Sequence, residues 1–413
     1  MRQTLSTPRV ARLAAHPLFL CGFRPFYLAT AAYGVLLLAL WSAMLAGALP
    51  APAVPGGAVA WHVHELLYGF AMASVAGFLL TAVPEFTGCA SVGRLGLLYL
   101  SLLWLAGRVA YWLAGSLGIW PAALLNLAFV AWLAALLAPP VWRDPGRPHL
   151  SFLYALAALA AAQAGVFFGT DPMAWLYAAT GVMMILMIVA MSRISMRLIN
   201  GMLEEDGVVD VNYLARPPRR NLAVFSIGLF TMTEFLLPGN SVAGWLALAA
   251  SAALLNLLND WHIGRALFNR WIFMLYAVYW LMALGYGLIG LSLLADWALL
   301  SAGRHLLLAG AMSLAIFAVM VVAGRIHAGY WLDRRPWVPV AVGLIVTAAL
   351  ARVSASLLPG SLLMALSAGL WIMAFALFLW HLWQPLTHPR PDDADGCAEP
   401  VRTQETPANE FAC

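Results

Sequence analysis

Lysine is absent from this chain, so all 22 of its basic residues are arginine. That bias follows codon composition more simply than any function. Charge of either sign is scarce, at 10% of 413 residues, where a soluble globular chain carries about 25%. Too little polar surface remains to cover a water-facing globule of this size. The four cysteines, Cys21, Cys89, Cys397 and Cys413, make no C-x-x-C and no C-x-x-C-H. That leaves no support for a zinc knuckle, a thioredoxin-like pair or a c-type haem attachment. The first 25 residues hold Arg2, Arg9, Arg12 and Arg24, with no long apolar core and no small-residue cleavage site. They do not read as a cleaved signal peptide, and Leu20 before Cys21 is too large for a lipoprotein box. No phosphate loop, nucleic-acid-binding pattern or Ser/His/Asp hydrolase arrangement is present.

What is abundant is apolar. Hydrophobic residues make up 63% of the chain, with a mean hydropathy of +0.85, which defines an integral membrane protein. A bilayer-crossing helix needs about 20 mostly apolar residues. Charge clusters and Pro/Gly punctuation divide the chain into about twelve such segments, giving an all-α polytopic fold. They fall at 26–48, 60–83, 95–115, 119–142, 149–169, 173–199, 221–237, 241–259, 270–294, 299–325, 336–358 and 360–383. Five units follow. Residues 1–25 precede the bundle, 26–199 form its first six-helix half, and 200–220 form a polar central loop. Residues 221–383 form the second half, and 384–413, rich in Pro, Asp and Glu, form a tail expected to be disordered.

Arginine placement supports that division. Basic residues stay on the cytoplasmic side of a membrane. Arg94, Arg143, Arg147, Arg193, Arg197, Arg216, Arg219, Arg220, Arg265, Arg270, Arg325, Arg334 and Arg335 all fall in even-numbered connections. Only Arg304 lies near an odd one, while Arg108 and Arg352 fall within spans. Both termini are therefore expected in the cytoplasm, and the protein in a bacterial inner membrane.

The segment "WHVHELLYGF", Trp61 to Phe70, places His62, His64 and Glu65 at the outer mouth of the second span. His305 opens the tenth span from the same side. His327 lies 22 residues later, about 33 Å along a helix, and cannot share a metal with His305. Residues two apart on an α-helix point about 200° apart, so His62 and His64 face different neighbours. Glu65 falls on the His62 face, where it could fix that imidazole's tautomer. His64 shares a face with Tyr68. Three roles fit this spacing: a metal or haem site, a proton relay through Glu65, or histidines that only meet headgroups and water. Arg108 and Arg352 are expected to pair with acids or carbonyls inside the bundle.

Three blocks, "FRPFYL", "WHVHELLYGFAMASVAGFLLTAVPEFTG" and "HLLLAGAMSLAIFAVMVVAGRIHAG", resemble the NnrS family of bacterial membrane proteins in the family's order. That resemblance implies a haem- and copper-containing protein linked to denitrification and to nitric oxide and nitrosative stress. Through it, His62, His64, His305 and His327 are candidate metal positions. Glu65, Tyr68, Arg24 and Arg193 are candidate supporting residues, with Arg24 a possible partner for a haem propionate. The chain departs from the family pattern at Glu85, Phe86 and Val322, and where spans five and nine lack histidines that many members carry.

The reading reached from these features is a b-type haem in the outer leaflet, with copper as a second cofactor. His305 and one of His62 or His64 serve as axial ligands. Nitric oxide or a related small molecule is the ligand, lipid is the surrounding partner, and no catalytic turnover is assigned. The rival readings are a proton-coupled secondary transporter using Glu65 and the histidines, and a metal or haem assembly factor.

Overall fold

The computed structural model describes residues 8–205, 207–208, 211–358, 360–394 and 396–397. Among them lie twelve long helices and no strand: α1 Phe23–Leu45, α2 Gly57–Thr87, α3 Arg94–Trp112, α4 Ile119–Arg143, α5 Leu150–Phe168, α6 Pro172–Glu205, α7 Pro217–Leu236, α8 Ser241–Leu257, α9 Arg270–Ala295, α10 Leu300–Ile326, α11 Trp337–Leu357 and α12 Ser361–Thr387. Eleven are long and apolar enough to cross a membrane. The exception is α7, since every 18-residue stretch of it includes Arg219, Arg220 and Glu234. Glu234 is not left bare, however. Arg304 at the start of α10 pairs with it at 2.6 Å and lies over the Tyr177 ring of α6. The ion pair thus neutralises the acid at that end of α7.

From α3 to α9, each helix packs against the next, and α11, α12 and α1 continue the wall. Two helices run through the interior. In α2 and α10, 83% and 78% of the apolar stretch is buried, against 28–61% in the other apolar helices. They run the same way, because their first turns approach each other and Glu85 meets His327 near their last.

Both central helices loosen into a π-helical turn at a similar depth, Glu65–Ala71 in α2 and Leu306–Met312 in α10. A π turn shifts the backbone bond from i→i+4 to i→i+5 and leaves carbonyls in need of other donors. Neighbouring side chains supply them. Trp104 Nε1 donates to the Gly69 carbonyl at 3.1 Å. Ser313 Oγ donates to the Leu308 carbonyl at 3.0 Å and accepts from Trp371 Nε1, also at 3.0 Å.

Two boundaries differ from expectation. The sixth helix runs on to Glu205, because Met202 and Leu203 are buried and carry it into the expected central loop. Of the tail expected from 384 onward, 384–387 complete α12, while 395 and 398–413 lie outside the described residues. The described remainder packs back on the bundle: Arg390 is buried and donates to the His327 carbonyl at 2.8 Å. A disulfide, Cys21–Cys397, spans 376 residues of sequence and ties this strap to the lead of α1. No local cysteine motif could have announced it.

Disulfides persist in oxidising compartments, whereas the arginine pattern leads one to expect this end of the bundle in the cytoplasm. Exposed Cys89 lies just past α2, at the same end. In a Cys413→Ser variant in intact cells, the arginine pattern predicts that Cys89 reacts with a membrane-permeant maleimide and not with an impermeant one. Equal labelling by both reagents would invert the topology.

Candidate functional site

Glu65 opens the π turn of α2 and is fully buried. An isolated carboxylate in such surroundings is costly unless it is paired and hydrogen-bonded. Three elements meet that need. Arg108 of α3 donates to Oε1 at 2.6 Å, the Tyr33 hydroxyl of α1 donates to Oε2, and His64 Nδ1 lies 3.1 Å from Oε1. Tyr33 in turn accepts from Trp112 Nε1 at 2.9 Å.

Glu65 therefore bonds to His64 and not to His62, contrary to its α-helical placement on the His62 face. The partners from other helices are the physical reason: Arg108 and Tyr33 hold the carboxylate on the side where His64 Nδ1 also reaches it. His64 is buried among Tyr68, Tyr111 and Phe167, with ring centroids 5.0, 4.2 and 5.4 Å away. Its Nε2 faces Gln163 Nε2 of α5 at 3.4 Å. With Nδ1–H toward the carboxylate, Nε2 accepts from the amide, and both ring nitrogens are occupied. Tyr68, expected on the His64 face, is there, and its hydroxyl donates to the Leu159 carbonyl at 2.9 Å.

His62 points elsewhere. Its ring stacks on Trp41 at 4.2 Å, and its Nδ1 is buried with no hydrogen-bond partner. His305 and Arg352 lie within electrostatic reach of it. His305 sits one residue before the π turn of α10, and its Nδ1 donates to the Ser301 carbonyl at 2.7 Å. That bond fixes the tautomer and leaves Nε2 as the basic nitrogen. Arg352 is held by hydroxyls, bonding Ser356 Oγ at 3.0 Å and Ser301 Oγ at 3.4 Å, rather than by the acid or carbonyl expected for it. His305 thus lies within electrostatic reach of His62, while His64 is held in a separate polar network. Among the described residues, no three His, Cys, Asp or Glu side chains converge to hold a metal ion.

His327 and Arg193 belong to the opposite end of the bundle. There Glu85 pairs with Arg197, and His327 Nε2 lies 3.6 Å from its other oxygen. A cavity of about 120 Å³ is lined there by Tyr27, Glu85, Phe86, Arg193, Val322 and His327 among others. The three departures from the family pattern, Glu85, Phe86 and Val322, thus line one cavity. Arg193 bonds His149 Nδ1 and the Pro148 carbonyl. His149 lies just ahead of α5, where burial and then the Arg193 charge lower its pKa against the pull of Asp144. It therefore stays neutral and can accept. Arg24, fully buried at the start of α1, also lies at this end and donates to the His388 carbonyl at 2.6 Å. A shared site with His305, and so a propionate role beside that histidine, is ruled out by position.

Nothing in the residue pattern points directly to Tyr33 or Gln163. Gln163, like Asn126 nearby, is a lone amide in an apolar span, and that was the available signal.

A polytopic helical membrane protein with a buried histidine–carboxylate centre on an interior helix is the class these features define. Residues 17–390 match the family model described as NnrS protein, and the chain belongs to that family. No curated protein matches it. At the level of the family, it is a membrane protein associated with the nitric oxide response.

Removing one partner of a buried ion pair costs roughly 3–5 kcal/mol. Arg108→Gln is expected to lower unfolding stability in detergent by about that amount. Adding Glu65→Gln should recover part of it. Additive losses in the double variant would mean that the pair is not coupled.

Proposed function

We propose that His62 and His305 hold a haem at the mouth of the two interior helices, and that this site answers nitric oxide. The unpartnered, buried Nδ1 of His62 beside a tautomer-fixed His305 is the observation that supports the reading most directly. Haem iron takes one or two axial side chains, which two imidazoles satisfy. Two imidazoles with no third His, Cys, Asp or Glu beside them among the described residues suit haem, whose porphyrin brings the remaining donors itself. Haem held there would supply an iron able to take nitric oxide in exchange for one of the two imidazoles.

The chain's own groups have separable tasks. Ser301 orients His305 through its carbonyl, and Trp41 holds the His62 ring by stacking. Arg352 supplies positive charge that suits propionates. His64, with both nitrogens engaged, positions the π turn and is not a ligand. The pairing of Glu65 with Arg108 also weighs against a proton-carrying transporter, because the acid already has a permanent cation beside it.

In haem-replete cells, His305→Ala and His62→Ala are each expected to lower the haem recovered with purified protein by tenfold or more. His64→Ala should keep haem while losing stability. Haem loss confined to His64→Ala would assign the ligand to the wrong histidine.

A further inference from the structure

Arg24 is fully buried at the end of the bundle away from His62 and His305. Its NH1 donates to two backbone carbonyls, Pro17 at 3.3 Å and His388 at 2.6 Å. Its Nε and NH2 are buried with no hydrogen-bond partner. These two nitrogens form the guanidinium edge that binds two oxygens of a carboxylate or phosphate side by side. Among the described residues no acid pairs with Arg24. A buried charge with one whole edge unmet is costly.

The surroundings add positive charge. Arg390 and Arg94 both lie within electrostatic reach of Arg24. The nearby acid, Asp392, is taken up by Arg390, with contacts of 2.8 and 2.5 Å. Arg24 also stands in the first turn of α1, a 23-residue helix whose N-cap, Gly22, has no side chain to cap it. A helix N-terminus carries partial positive charge and free N–H groups that favour anions. Arg24 is thus left with one unfilled hydrogen-bonding edge beside a helix N-terminus. The strap joined through Cys21–Cys397 reaches Arg24 through the His388 carbonyl.

We propose that the Nε–NH2 edge of Arg24 binds a phosphate-class oxyanion at this end of the bundle. The anion is either free or the headgroup of a membrane phospholipid. It fills the unmet donors, balances the arginine cluster and locks the strap against α1. This site is separate from the histidine pair and does not depend on haem.

The test uses the full-length protein, washed in detergent until its loosely held phospholipid is gone. Thermal unfolding is then followed in two series at constant ionic strength, one with inorganic phosphate and one with phosphatidylglycerol in the micelles. Binding to the folded state alone raises the melting temperature with the logarithm of ligand concentration. A rise with inorganic phosphate identifies a free-anion site, and a rise with phosphatidylglycerol alone identifies a headgroup site. Arg24→Gln should lose the response, while Arg265→Gln keeps it. Wild-type protein that responds in neither series and retains no phosphorus would overturn the proposal, even if the variant fails to fold. So would an Arg24→Gln protein that responds like the wild type.

Discussion

A carboxylate inside a membrane bundle must be matched by a cation or remain protonated, and the arrangement around Glu65 follows from that constraint. Arg108 reaches it from α3, Tyr33 from α1 and His64 from the adjacent position on α2. One acid thereby fixes three helices relative to each other where apolar packing alone specifies little. It also decides the fate of the two neighbouring histidines. His64 is bound into the network through both ring nitrogens, while His62 is turned toward Trp41 with a nitrogen unmet.

The π turns give this arrangement its depth and symmetry. Each begins immediately after a histidine, His64 in α2 and His305 in α10. Each has a loosened carbonyl taken by a nearby donor, Trp104 in one case and Ser313 in the other. Such turns recur at functional sites because they re-aim side chains without ending the helix. His62 and His305 both lie ahead of these turns, at the same end of the two most buried helices. At the far end of those helices, Glu85, Arg193, Arg197 and His327 make a second polar cluster around a small cavity. The bundle is polar at both ends of its axis and apolar between them.

Much of the fold was legible because lipid imposes a simple rule on composition. Apolar runs between arginine clusters marked the helices, and only α7, with its Arg219, Arg220 and Glu234, fell short of the rule while keeping the length. Apolarity alone did not make both central helices legible: α10 stands out as the most apolar, but α2 only equals the wall helices α1 and α11. The histidines were visible as chemistry, yet their partners were not. The pairing of Glu65 with His64 depends on Arg108 and Tyr33 arriving from other helices, which residue periodicity does not show. The link from Cys21 to Cys397, like the bond from Arg24 to His388, depends on the two ends of the chain meeting in space.

The visible spectrum of the purified wild-type protein tests the central assignment most directly, recorded oxidised, reduced and after nitric oxide, with iron and copper counted on the same sample. The predicted result is near-stoichiometric iron and a Soret band that shifts with nitric oxide. A colourless, metal-free preparation from haem-replete cells would contradict it and leave His62 and His305 without the ligand role assigned to them.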